Sequence, residues 1–316
     1  HVGGDVYTTR TYLNWDDAMD RDLVLHGRFP SDTDLIIFDE IHKYRLWKNL
    51  VKGIYDTRKE LFKIIVTGSA RLDVYRRGGD SMQGRYHYHR LHPFSLRESL
   101  GKEWIIEPFQ ELPFLPDENL DKNFSNLFEF GGFPEPFLSK DKQVLRRFHN
   151  ERLDRLVRGD IRDMENIQDL SSLEVLADLL PYKVGSLLSL GSLQTDLSVT
   201  YKTIARWVET LERFYYHYRI YPYKNKAIKS LKKQPKLYMW DWSQVTDASA
   251  RLENMVGSHL LKTAHLLNDF FGYKAELHFL HDIDGREVDF LLTVDNKPWL
   301  AVEVKQSDRG VSPHLK

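Results

Sequence analysis

The sequence predicts an α/β chain: a buried parallel sheet first, then a helical middle, then a second group of strands at the C-terminal end. Three observations carry this. Leu35-Ile36-Ile37-Phe38 is an unbroken apolar run that ends in Asp39-Glu40, and Phe62–Val66, broken only by Lys63, is a second apolar stretch. Short continuous apolar runs suit strands buried on both faces, as in a parallel sheet. Between them, apolar residues at Trp47, Leu50, Val51, Ile54 and Tyr55 recur at helical spacing. Strand, helix, strand at this spacing is a βαβ unit. Far along the chain, Glu287-Val288-Asp289-Phe290-Leu291-Leu292 alternates and turns at Asp295-Asn296-Lys297-Pro298 before Leu300–Lys305. That pattern predicts an antiparallel pair.

The N-terminal elements come in order. Tyr12–Asp17 reads as a strand running into an acidic turn, with a helix through Ala18–Leu25 and a break at Pro30-Ser31. The Leu35–Glu40 strand follows, with both carboxylates at its C-terminal end. Ligands of open α/β sheets bind at that end. An Asp there suits Mg²⁺ on a nucleotide, and a Glu beside it suits orientation or deprotonation of the attacking water. This is the shape of a Walker B motif. The plainer alternative is a buried strand with a solvated acidic end.

The order Ile36–His42, Val66-Thr67-Gly68-Ser69-Ala70, Gly84-Arg85 and Leu91–Glu98 resembles the bacterial and archaeal AAA-type ATPases that carry a C-terminal DUF4143 domain. Gly131–Pro136 and Arg158–Ile161 resemble later segments of that family. The resemblance implies a P-loop NTPase core of the AAA+ kind over 1–101 and a helical lid over 102–165. It implies ATP and Mg²⁺ as cofactors. Asp39 would hold the metal, Glu40 would activate water, and Thr67 or Ser69 would sense the γ-phosphate. Arg85 would be an arginine finger, acting in trans in a homo-oligomer. Ser69 as a simple helix cap and Arg85 as one of several solvated arginines stay open as alternatives. No G-x-x-x-x-G-K-[ST] phosphate cradle occurs in the 316 residues. The family has it just before the segment matching Tyr12–Asp17, so it is expected upstream of His1. The other alternative is a chain that does not bind nucleotide normally.

The segment after Gly101 is punctuated by Pro108, Pro113 and Pro116, with helical patterns at Phe124–Phe130 and Val144–Arg158. Residues 166–245 read as a winged helix-turn-helix. Leu173–Leu180 and Leu187–Leu197 are helical. Thr200 caps a helix that buries Ile204, Trp207, Val208, Leu211 and Phe214. Tyr215–Tyr223 and Lys236–Trp242 pair around a lysine-rich wing with Lys224, Lys226, Lys229, Lys232, Lys233 and Lys236. Such lysines suit phosphate contacts, with Tyr201, Lys202 and Arg206 facing DNA from the recognition helix. A protein–protein spacer with a solvated lysine face is the alternative.

Residues 246–316 are the last predicted domain. An acidic helix with Glu253 precedes Asp289 on one strand and Glu303-Val304-Lys305 on the next. This set resembles the core of PD-(D/E)XK nucleases, an α/β restriction-endonuclease-like fold belonging here to the DUF4143 domain. Adjacent strand ends would bring Asp289 and Glu303 together on Mg²⁺ or Mn²⁺. Lys305, two residues on, shares a strand face with Glu303 and would act on the attacking water. Glu253 would complete the metal shell. A solvated Glu303–Lys305 pair on an edge strand is the alternative. More strand and helix are expected beyond Lys316.

Charge and composition bound the functional classes. Charged residues make up 29% of the chain, yet the net charge is −1, so any nucleic-acid surface is a local patch. The absence of cysteine excludes disulfides and Cys-ligated zinc and fits a reducing, cytoplasmic setting. No apolar run is long enough for a membrane span and no signal peptide is visible. The expectation is an ATP-binding and hydrolysing protein that acts on DNA, with a metal-dependent nuclease domain. The alternative is a nucleotide-regulated DNA- or protein-binding switch whose nuclease-like domain is a docking module.

Overall fold

A computed structural model describes residues 7–68, 84–102, 106–112, 116–162, 165, 167, 169–223, 234–281 and 287–307. The chain divides into two units, 1–88 and 89–316.

The first unit is a parallel three-stranded sheet with helical crossovers. Its strands β1 (Arg10–Asn14), β2 (Leu35–Asp39) and β3 (Lys63–Thr67) lie in sequential order. Asn14 and Thr67 flank Asp39 in register. Helix α1 (Ala18–His26) links β1 to β2, and α2 (Trp47–Arg58) links β2 to β3. Asp17 caps α1, its carboxylate accepting from Met19 N and Asp20 N, and Gly27 ends the helix at φ 60°. Ile36 and Phe38 join Leu13, Val24, Val51 and Ile54 in the core under the helices. Leu35 and Ile37, on the other face, are buried as well. Each such side chain contributes about 1.5–3 kcal/mol, so the apolar run that marks β2 also anchors the carboxylates at its end.

The second unit begins with helices. A capping box closes the short α3 (Leu96–Ser99): Ser95 Oγ accepts from Glu98 N, and the Glu98 carboxylate accepts from Ser95 N. Helices α4 (Leu120–Phe130), α5 (Pro134–Ser139) and α6 (Lys142–Asp154) follow, and α6 runs on as a π-turn through Arg155–Ile161. Gly131 and Gly132 let this group approach the turn at Asp241–Ser243. A Cβ on Gly132 would lie 2.6 Å from the Trp242 ring and 2.7 Å from Phe94 O. Trp242 Nε1 donates to Leu127 O at 2.7 Å.

Helices α7 (Leu170–Leu179), α8 (Leu190–Leu197) and α9 (Tyr201–Arg213) precede an antiparallel pair, β4 (His217–Pro222) and β5 (Lys236–Met239). Thr200 caps α9, and Ile204, Trp207, Val208 and Leu211 form its buried face. The sequence pattern reads this pair as the hairpin of a winged helix over 166–245, before the C-terminal domain. Instead β4 also pairs in parallel with a later strand, through Tyr221↔His278 and Pro222↔Phe279. A mixed five-stranded sheet results, in the order β5-β4-β6-β7-β8. Its later strands are β6 (Ala275–His281), β7 (Glu287–Val294) and β8 (Lys297–Val302). The β7–β8 turn holds Asp295 and Asn296 at φ 50° and 62°, the conformation Asp and Asn tolerate best after Gly.

Helix α10 (Ala248–Asp269) packs on this sheet. Gly257 permits the approach, since a Cβ there would lie 2.8 Å from the buried Phe290 ring. The fully buried Asn254 takes Met239 N on its Oδ1 and donates Nδ2 to Met239 O, both at 2.8 Å. Together with the bridges Val184↔Leu237 and Leu187↔Lys236, this satisfies the outer edge of β5.

Candidate functional site

Two carboxylate sites stand out, one in each unit. In the first, Asp39 ends β2. Its Oδ1 accepts from Thr67 Oγ1 at 2.6 Å, and its Oδ2 accepts from the Tyr12 hydroxyl. Partial burial pulls the Asp39 pKa upward, but the Thr67, Tyr12 and Glu40 N–H donors outweigh it and hold the group below the usual carboxylate range. The same hydrogen bond to Asp39 pushes the Tyr12 phenol up. Asp39 is therefore an anion at neutral pH. It is a hard oxygen donor whose present partners are neutral hydroxyls and a backbone N–H, which fits a Mg²⁺ shared with nucleotide phosphates.

Glu40 leaves the strand at φ 57°, a left-handed conformation uncommon for a non-glycine residue. It opens the turn Ile41–Lys43, and its N–H donates to Thr67 O at 3.2 Å. The turn brings Lys43 Nζ to 3.1 Å from Glu40 Oε2 and 2.5 Å from Asp16 Oδ2. Thus Asp39, Glu40 and Thr67 share one sheet end. Ser69 lies outside the described residues. Arg85 Nε donates to Asp56 Oδ1 at 2.8 Å, an exposed pair at the C-terminal turn of α2.

The second site lies between α10 and the strands β5, β7 and β8. Asp289 of β7 accepts from Val304 N at 2.8 Å on Oδ2. With Phe290 opposite Val302, the register sets Asp289 beside Glu303. Strand β8 ends at Val302, so Glu303 and Lys305 follow the strand rather than lie within it, and they pair at 3.2 Å. Lys236 Nζ sits 3.4 Å from Glu253 Oε1 and 3.9 Å from Asp289 Oδ1, and it contacts Glu287. Glu253 Oε1 also accepts from the Tyr238 hydroxyl at 2.7 Å.

Burial drives the titration here. It raises Glu253 and Asp289 above the usual carboxylate range, against the pull of Lys236. Burial opposes the charge on Lys236 as well, but Glu253, Glu287 and Asp289 overcome it and raise its pKa.

Tested against a divalent ion, this set divides. Asp289 and Glu303 fit: they adjoin, and Glu303 Oε2 is buried with no hydrogen-bond partner. Such an oxygen is costly unless a cation or water meets it. Glu253 fits less well, because its Oε1 is already taken by Tyr238 and Lys236. Among the described residues, no three His, Cys, Asp or Glu side chains gather to hold a metal.

Lys236 is also a correction to the sequence reading, which grouped it with the wing lysines as a phosphate contact. Its side chain is only 5% exposed and closed in by carboxylates. Lys224, Lys226, Lys229, Lys232 and Lys233 lie outside the described residues. On α9, Tyr201 and Lys202 are exposed, and Arg206 reaches Glu165 at 3.3 Å while staying half exposed. Sequence reasoning missed Lys43, Tyr12, Lys236, Tyr238 and Glu287. Lys43 had a local signal, three residues after Glu40. Lys236 had none, because its partners come from remote segments.

Comparison with known proteins bears on both units. Residues 6–100 match the family model described as an AAA domain, and 248–316 match the domain of unknown function DUF4143. The chain carries an AAA-type domain and a DUF4143 domain. A third model, the domain of unknown function DUF8612, matches 121–252. That range spans α4 to α9 together with the β4–β5 pair and the start of α10. Two relatives come from Methanocaldococcus jannaschii. The uncharacterized protein MJ1544 is 24% identical over 313 residues, covering 92% of this chain and 67% of its own length. The uncharacterized protein MJ1637 is 27% identical over 233 residues, covering 65% of this chain and 48% of its own length. The chain thus spans about two thirds of one relative and about half of the other. No solved structure matches the chain. No helix among the described residues is long and apolar enough to cross a membrane.

Proposed function

We propose that this AAA-type protein binds and hydrolyses ATP and uses the cycle to act on nucleic acid. One observation carries the first half. Asp39 is held as an anion between Thr67 and Tyr12, at the C-terminal end of the central strand of a parallel sheet, with Glu40 beside it. Asp39 binds the Mg²⁺ that accompanies ATP, and the bound ion supplies charge neutralisation at the phosphates. Glu40 orients the attacking water and takes its proton. Its ion pair with Lys43 fixes the carboxylate until a substrate water competes for it. Thr67, with Ser69 further along, reads the γ-phosphate end. Arg85 serves as an arginine finger toward a neighbouring copy in a homo-oligomer.

The test is ATP turnover by the parent protein with Glu40→Gln. Loss of a positioned base costs on the order of 10²–10⁴-fold in rate, with nucleotide binding retained. Turnover equal to wild type refutes the role of Glu40.

In the second unit, α9 with Lys202 and Arg206, and the lysines at 226, 229, 232 and 233, supply the nucleic-acid contact. The C-terminal domain is read as PD-(D/E)XK-like, with Asp289 and Glu303 holding a divalent ion and Lys305 beside them. A second reading makes that domain a non-catalytic docking module within a nucleotide-regulated switch. It is favoured by the ion pair that removes Glu253 from the metal shell. Plasmid cleavage with Mn²⁺, lost in Asp289→Ala, separates the two: no cleavage by wild type leaves the docking module.

A further inference from the structure

We propose that Lys236 is a tethered cation that fills the helix side of the C-terminal carboxylate cluster and competes there with a divalent ion. The inference rests on reading Asp289 and Glu303 as the ion-holding pair. Lys236 opens β5, separated from β7 by the two strands β4 and β6, and its ammonium group lies 5.6 Å from the centre of the Phe279 ring on β6. At its tip it meets three carboxylates from two elements: Glu253 of α10, and Glu287 and Asp289 of β7. A hard divalent ion on Asp289 and Glu303 would recruit Glu253 as its next oxygen donor. Glu253 Oε1 is already held by Lys236 and by Tyr238. Gly185 leaves room for that carboxylate: a Cβ there would lie 3.1 Å from Oε2 and 3.2 Å from Oε1.

Two consequences follow from this geometry. Glu253 is a partner of Lys236 rather than of the metal. A fixed positive charge 3.9 Å from Asp289 Oδ1 weakens any divalent ion bound there. The ion-holding pair therefore binds weakly by construction, and anything that draws Lys236 away, such as a phosphate group, tightens it.

The experiment measures Mn²⁺ affinity of the full chain by the loss of the free-ion electron paramagnetic resonance signal. It compares wild type, Asp289→Ala, Lys236→Met, Glu253→Gln and the Lys236→Met/Glu253→Gln pair, with circular dichroism as the folding check. Lys236→Met is expected to tighten Mn²⁺ by about tenfold or more. Glu253→Gln alone is expected to leave affinity within about twofold, and to reverse the gain when combined with Lys236→Met. Should Lys236→Met not fold, Glu253→Gln decides: a large loss of affinity overturns the proposal and restores Glu253 as a ligand. Binding that Asp289→Ala abolishes but Lys236→Met leaves unchanged or weaker sinks this inference and spares the ion-holding pair. No Mn²⁺ binding to either wild type or Lys236→Met sinks both.

Discussion

Replacing Asn254 by Ala tests how α10 is fastened to the sheet. Asn254 is fully buried and closes a two-point clamp on Met239, at 2.8 Å each way, with a third bond from Nδ2 to Ser258 Oγ at 3.2 Å. Truncation leaves the Met239 N–H and C=O without partners inside the protein. Each unsatisfied backbone group costs about 1–3 kcal/mol. Removing the buried amide recovers part of that, because its own desolvation no longer opposes folding. The net loss is about 3 kcal/mol. For a unit of this size, about 2–4 °C of midpoint accompanies each kcal/mol, so the melting midpoint of the second unit falls by about 6–12 °C. Trp240 and Trp242 are buried one and three residues after Met239, so intrinsic fluorescence reports on this transition. A midpoint within about 2 °C of wild type refutes the clamp and shows that Met239 finds other partners.

The other predictions are simpler. Gly257→Ala pushes a methyl group to 2.8 Å from the buried Phe290 ring and 3.2 Å from the Tyr218 hydroxyl, so it costs about 1–3 kcal/mol in a urea titration. Glu40→Gln lowers ATP turnover with nucleotide affinity kept, measured side by side in the parent protein. Acid sensitivity follows from a buried histidine pair. His92 Nε2 and His265 Nδ1 are 2.9 Å apart, and burial pushes their pKa values down to about 2 and about 3. Unfolded imidazoles protonate near pH 6.5. The stability from keeping them neutral is thus complete above about pH 6.5 and is lost as pH falls toward 3, by at most about 1.4 kcal/mol per pH unit per group. His265→Asn flattens the change in urea midpoint between pH 7 and pH 5, and an unchanged slope refutes this assignment.

Local patterns carried much of the fold. The apolar run before Asp39 and the stripe from Trp47 to Tyr55 lie where β2 and α2 form, because burial on both strand faces and a 3.6-residue period leave direct marks in sequence. The turn at Asp295-Asn296 was legible for the same reason: these residues tolerate positive φ. Thr67 beside Asp39 was legible once the two strands were read as parallel neighbours. The pairing of β4 with β6 left no mark, since it joins segments more than fifty residues apart through a short stretch, Tyr221–Tyr223. The burial of Lys236 was equally hidden. In sequence it ends a run of solvated lysines, and only the folded sheet sets it against Glu253, Glu287 and Asp289.

The double use of β4 makes the second unit hard to divide. One edge of the strand completes the hairpin with β5, and the other begins the ladder that leads to β6 and Asp289. A cut between residues 245 and 248 separates two segments in sequence but opens a hydrogen-bonding edge on each fragment. The β4–β5 hairpin and the C-terminal strands therefore share one hydrogen-bonded sheet although separate family models match them. From β4 the ladder runs through β6 to β7, so the hairpin and the strand that carries Asp289 are joined by backbone hydrogen bonds.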